Sequence, residues 1–218
     1  MRLLTPLEAR VLGVLVEKQA TVPDTYPLSL NALVAGCNQK TARSPVIEAG
    51  DADVLAASDG LKSLSLVFEG GGSRVVRFEH NAGRVLAVPS QAVALLAVLM
   101  LRGPQTAAEL RLNCERLHKF ADISSVEGFL DELAAKQPPR VLRLGRAPGE
   151  REARWVHLLC GEPSASAMRG AANDADGGAL SAGELSALKA EQTRLAAEVE
   201  SLKAQVQRLN RELGLNPE

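Results

Sequence analysis

The sequence predicts a mainly α-helical fold with small β wings: two tandem winged-helix domains plus a C-terminal coiled-coil helix. Three observations lead there. The order helix, helix, helix, hairpin runs twice through the first 160 residues. Helix starts carry a hydroxyl with a carboxylate three residues on, and a heptad pattern opens at Leu185. The boundaries that follow are 1–88 for the first winged helix and 89–160 for the second. Residues 161–180 read as a flexible linker and 181–214 as the coiled-coil helix.

The first helix begins at Thr5-Pro6-Leu7-Glu8, a hydroxyl at the N-cap, proline at the first helical position and a carboxylate at the third. That capping box satisfies otherwise orphaned amide donors and is worth about 1 kcal/mol. Leu7, Val11, Val14 and Leu15 form one apolar face, with Glu8, Arg10, Glu17 and Lys18 mostly off it. A Pro-containing loop, TVPDTYP, leads to a short helix from about Ser29 to Cys37. After the polar loop NQKTARSPV a third helix spans about Asp51 to Leu64. LVFE and RVVRFEH, separated by GGGS, read as a hairpin. The second half repeats the order. A strongly apolar helix runs from Ser90 to Leu101, a second starts at the Thr106/Glu109 box, and a third covers about Ser124 to Lys136 from a Ser124/Glu127 box. RVLRLGR and ARWVHLL make the second hairpin around APGE.

The chain resembles the YceH-like family of bacterial proteins. The resemblance runs from LTPLEARVLGVLVEKQ through YPLSLNALVAGCNQKTARSPV to LRGPQTAAELR and APGEREARWVHLL, over about residues 3–160. Its most specific tract is Asn38-Gln39-Lys40-Thr41 with Arg43 and Pro45-Val46. The resemblance implies tandem winged-helix domains, which are usually described as DNA-binding folds. This chain departs from the family pattern at Ala42, where a polar residue is usual. It also places Ser58 on the apolar face of the third helix and Gly60 within it. A glycine there costs about 1 kcal/mol relative to alanine, so that helix is expected to be the weakest regular element.

Composition excludes several classes. With 46% hydrophobic and 23% charged residues, the latter near the globular average, the chain is not disordered throughout. No apolar run approaches the roughly 20 residues that cross a bilayer, so no membrane partner is expected. The opening MRLLTPLEAR does not read as a signal peptide, and the three separated cysteines fit reduced thiols, so a cytoplasmic location is expected. His80, His118 and His157 lack paired metal-ligand spacing, and Gly70-Gly71-Gly72 lacks a phosphate-loop pattern. No catalytic residue, metal or cofactor is expected, and the protein is read as non-enzymatic. Cys37 and Cys114 read as buried thiols and Trp155 as the anchor of the second wing.

Net charge is −1, so no global basic field points to nucleic acid. The third helices carry Asp51, Asp53 and Asp59 against Lys62, and Glu127, Asp131 and Glu132 against Lys136. Carboxylates facing phosphates repel, which argues against simple helix-in-groove docking. Positive charge gathers instead on the wings and the 38–46 loop. The candidate nucleic-acid-binding residues are Lys40, Thr41, Arg43, Arg74, Arg77, Arg143, Arg146 and Arg151, since arginines on a hairpin can grip phosphates or enter a minor groove. The competing reading is an ordinary solvated hairpin with Glu150 and Glu152 as partners.

In the tail, Leu185, Gln192, Val199, Val206 and Leu213 fall at position a, and Leu188, Leu195, Leu202 and Leu209 at position d. Valine at a with leucine at d favours a parallel two-stranded coiled coil, with Lys189 and Lys203 at e facing glutamates at g. The expected dimerisation residues are Leu185, Leu188, Leu195, Val199, Leu202, Val206, Leu209 and Leu213. An amphipathic helix packed on its own chain is the alternative. The function expected is a DNA-binding, transcription-regulator-like homodimer that contacts double-stranded DNA through its wings. The alternative is a protein-interaction scaffold with a protein partner.

Overall fold

The computed structural model describes residues 1–70, 75–146 and 152–163, which fall within one compact unit. The expected coiled coil, the linker from residue 164 onward and both wing tips, including Arg74 and Arg151, lie outside the described residues. The architecture is mainly helical with small antiparallel wings. Helix α1 spans Pro6–Thr21. Its capping box forms as read: the Glu8 N–H donates to Thr5 Oγ1 at 3.2 Å, and the Thr5 N–H to Glu8 Oε2 at 2.7 Å.

One expectation for α1 fails. Glu8 and Arg10 do not lie away from the buried face; each is only 4% exposed, and every residue from Glu8 to Val16 is buried. The cause is tertiary. Alongside α2 (Leu30–Cys37), α1 is flanked by α3 (Asp51–Ser63) and by α5 (Ser90–Arg102) of the second half. Gly13 makes the α5 approach possible, because a Cβ there would sit 3.0 Å from Leu101 Cγ and 3.4 Å from the Ala97 carbonyl oxygen.

A two-residue strand not read from the sequence, β1 (Leu28–Ser29), precedes α2, whose N-cap is Ser29. The first wing pairs β2 (Val67–Gly70) antiparallel with β3 (Arg77–His80), Val67 opposite His80 and Gly70 opposite Arg77; β1 joins the far edge of β3, giving the order β1-β3-β2. A short helix, α4 (Ala82–Leu86), also absent from the sequence reading, carries the chain into the second half. There α6 (Ala107–Asn113) starts on the expected Thr106/Glu109 box. Helix α7 (Ile123–Ala135) begins one residue earlier than expected. Its cap is Asp122, not Ser124: the Asp122 carboxylate takes the Ser125 amide at 2.7 Å and the Ser125 hydroxyl at 2.6 Å. A charged acceptor at a helix N-terminus outcompetes a neutral hydroxyl. The second wing is β4 (Val141–Arg143) paired with β5 (Trp155–His157).

The two halves share one continuous core. Leu12 and Leu15 of α1, Leu61 of α3, Phe78 of β3, Leu96 and Leu99 of α5 and Leu130 of α7 are all 0–1% exposed within the same apolar cluster. Backbone bonds also cross the halves, from the Leu4 N–H to the Leu159 carbonyl and from the Ser44 N–H to the Leu101 carbonyl, each 2.8 Å. Among the described residues no helix is long and apolar enough to cross a membrane.

Helix α3 contains its two irregular residues for identifiable reasons. Ser58 is fully buried, and its hydroxyl donates to the Val54 carbonyl at 2.8 Å, so no polar group is orphaned. Gly60 leaves room for a neighbour: a Cβ there would lie 2.1 Å from Glu8 Oε1. That carboxylate is held by Arg2 through bonds of 2.6 and 2.8 Å, and the Arg2 bond keeps Glu8 below the usual carboxylate pKa against the opposing effect of burial.

Candidate nucleic-acid interface

In the second wing, β4 and β5 put Arg143 directly opposite Trp155. Trp155 is 3% exposed and anchors the hairpin on the core as expected, while Arg143 remains exposed with its guanidinium carbon 5.7 Å from the indole centroid. A cation over an indole face is favourable by about 0.5–1 kcal/mol at an exposed site, and here it holds the arginine on the wing surface. Arg146, three residues on, is also exposed. Both line a shallow concavity of about 190 Å³ together with Glu127 of α7, Glu152, Ala107 and Ile123. Two arginines and two carboxylates therefore share this surface.

The other predicted residues are placed differently. Lys40 and Thr41 are exposed in the loop after α2, which Asn38 closes by bonding both the N–H and the carbonyl of Ala49 at 2.8 and 2.9 Å. Ala42 takes a left-handed backbone conformation, φ 58°. Arg43 corrects the sequence expectation. Its side chain is 0% exposed and pairs with Glu17 through contacts of 2.6 and 3.1 Å, with further bonds to the Gly36 carbonyl and to Gln39. Burial alone would raise the Glu17 pKa, but the Arg43 bonds outweigh it and hold the carboxyl below its ordinary range. Arg43 is a structural clamp between α1 and the 38–50 loop, with no face for a phosphate.

Arg77 is exposed, but its Nη1 is committed to the carbonyls of Pro27 at 2.7 Å and Thr25 at 3.3 Å. Arg154, another wing arginine, pairs with Glu109 at 3.0 Å. Lys62, the cation of α3, is held by Asp59 at 2.7 Å and by Glu69. The exposed carboxylates of α3 and α7 thus keep both third helices acidic. Lys40 and Thr41 of the first half and Arg143 and Arg146 of the second are the predicted residues left at the surface without such ties among the described residues.

Cys37 and Cys114 are buried free thiols, as the sequence reading held, and burial pushes their pKa values up to about 11 and about 12. What the sequence reading missed is Arg10, a buried cation in α1 that donates to the Cys37 and Pro45 carbonyls at 3.1 and 2.6 Å. Its position between Ala9 and Val11, in a run with few other charges until Glu17, was the available signal.

Fold and surface together define a mainly helical protein whose two halves, each closed by a small antiparallel wing, share a common core. Comparison with known proteins names the family: the chain belongs to the one described as "Protein of unknown function, DUF480", which matches residues 4–150. It is 70% identical to a UPF0502 protein of Leptothrix cholodnii over 98% of this chain and 96% of that one. It is 67% identical to UPF0502 proteins of Burkholderia multivorans (99% and 92% covered) and of Cupriavidus necator (99% and 89% covered). The resemblance to the YceH-like family agrees with these matches.

Proposed function

We propose that this protein is a cytoplasmic, non-enzymatic DNA-contacting regulator that touches duplex DNA mainly through its second wing and dimerises through its C-terminal heptads. The observation that carries this reading is the pair of exposed arginines on that wing, Arg143 held over Trp155 and Arg146 beside it. A hairpin presenting guanidinium groups above a rigid aromatic anchor suits contact with phosphates or entry into a minor groove. The acidic third helices direct the contact away from helix insertion. Lys40 and Thr41 are secondary candidates.

The test is titration of a fluorescent duplex with the full chain at two salt concentrations. Wild type should bind more weakly at the higher salt. Arg143→Ala/Arg146→Ala should lower the slope of log affinity against log salt by about 1–2, one per lost phosphate contact. Absence of binding at low salt, or a slope unchanged in the double variant, overturns the reading. The exposed carboxylates of α3 and α7 then favour a protein-docking scaffold that recognises a basic partner. For the tail, sedimentation of the full chain should give a dimer, and Leu195→Lys/Leu202→Lys a monomer; equal masses would remove the coiled-coil reading.

A further inference from the structure

A groove of about 880 Å³ lies between the two halves, within the roughly 300–1,000 Å³ of small-ligand sites. Its walls come from α1, the 38–50 loop, α3, α5 and β5, and are chiefly apolar, with Leu7, Ile47, Leu99, Met100 and Val156 among them. Two polar side chains in this wall have atoms without partners. The Nε of Arg10 is buried with no hydrogen bond, although the residue is only 4% exposed. Its other guanidinium nitrogens meet carbonyls, and none of the ion pairs among the described residues involves it. Burial is the main influence lowering its pKa, and the neighbouring Arg43 charge adds to it against a smaller opposing effect of Cys37. The second orphan is Nδ1 of His157, which also faces no partner. Burial depresses that imidazole to about 4, leaving it neutral near pH 7.

A buried cation without a counter-anion is costly, and an apolar cavity beside it selects what can relieve that cost. The carboxylates around the groove do not serve. Glu8 is saturated by Arg2 and by the Thr5 amide, while Glu48 and Asp53 are exposed, the latter taking the Gly50 amide at 3.2 Å. Those rim charges disfavour a polyanion or a dianionic phosphate, but a single negative charge needs only the one cation beneath them. We propose that this groove binds a small amphiphile with an apolar body and one carboxylate, the head meeting Arg10 and His157 and the body filling the space between α1, α3 and α5. This inference stands apart from the wing reading and holds whether or not DNA is bound.

Calorimetric titration of the full chain tests it with three ten-carbon probes, decanoate, decanol and decylamine, each below its micelle concentration at pH 7. Decanoate should bind at least tenfold more tightly than decanol, and decylamine, cationic at that pH, more weakly than either. Arg10→Met should bring decanoate to the affinity of decanol. Because Arg10 also holds two carbonyls, a second variant separates binding from folding: Ala56→Trp fills the groove from an exposed position without altering charge. It should abolish decanoate binding while leaving the thermal transition in place. Absent decanoate binding, equal affinity for decanol, or binding indifferent to Ala56→Trp overturns the proposal.

Discussion

The two halves anchor their wings in the same way. Leu28 faces Phe78 in the first and Gln105 faces Trp155 in the second, in each case linking the residue before a helix N-cap, Ser29 or Thr106, to a buried aromatic on the return strand. One residue before that aromatic stands an arginine, and both arginines reach the carbonyl of a proline preceding α2 or α6: Arg77 to Pro27 at 2.7 Å and Arg154 to Pro104 at 3.3 Å. These two side chains are clips of a repeated unit. The difference lies in what remains. The second wing adds Arg143 and Arg146, whereas the first half spends its loop arginine, Arg43, on a buried pair with Glu17. Counting positive charge along a hairpin therefore overstates its capacity for nucleic acid, because some of that charge fastens the hairpin to its own domain.

The sharpest way to break the comparison is to remove one arginine from each half. Arg43→Met strands the half-buried Glu17 carboxylate and should destabilise the protein by about 3–5 kcal/mol in urea unfolding. Arg154→Met loosens a pair whose glutamate is 41% exposed, and should cost about 1 kcal/mol or less. Equal losses would show that the two halves hold their loops with the same strength, against the burial seen here.

Acid probes the first half next. Glu8 and Glu17, both in the first half, have folded pKa values held below that of an unfolded glutamate near 4.5. A depressed carboxylate contributes stability that is present above the unfolded pKa and lost as pH falls through the folded one. Wild-type stability should therefore decline below about pH 4.5. Without Arg43, burial is the largest influence on Glu17 and pushes its pKa up, so the deficit of Arg43→Met should be greatest at pH 7 and shrink toward pH 4. A deficit independent of pH would mean the variant loses packing and not charge.

Most of the fold was legible because its signals are local. Thr5/Glu8 and Thr106/Glu109 set helix starts that the structure reproduces, and β-rich runs on either side of GGGS and APGE mark both hairpins. The misreadings came where tertiary contacts decide. Arg10 and Glu8 look like solvent-facing charges on a one-sided helix, and nothing in their spacing reveals that α5 covers the other side. β1 is two residues long and exists only through its partner β3, so no periodicity marks it. Asp122 won the cap of α7 from Ser124 by charge, a competition that a motif search decides the wrong way. For the candidate surface, the sequence put Arg143 and Arg146 on the second hairpin, where they are exposed, but had no means of separating them from Arg43 and Arg77, whose partners lie 26 and about 50 residues away.

The smallest expected effects come from the glycines inside the two third helices. Gly60 in α3 and Gly128 in α7 look alike in sequence, each a helix-interior glycine that alanine would improve by about 0.5–1 kcal/mol through a less flexible unfolded chain. Their surroundings differ. Nothing lies within 4 Å of a Cβ at Gly128, so Gly128→Ala should realise that gain and raise the unfolding midpoint. At Gly60 the same methyl would meet a carboxylate already fastened by Arg2 and the Thr5 amide, and relief requires loosening that arrangement. Gly60→Ala should therefore destabilise by about 1–2 kcal/mol, the loss of a charge-assisted bond less the helix gain. In an Arg2→Ala background, where only the Thr5 amide still holds Glu8, the penalty should fall by more than half. A Gly60→Ala that stabilises as Gly128→Ala does would mean the Arg2–Glu8 pair places no constraint on α3, and that the two third helices differ less than their packing indicates.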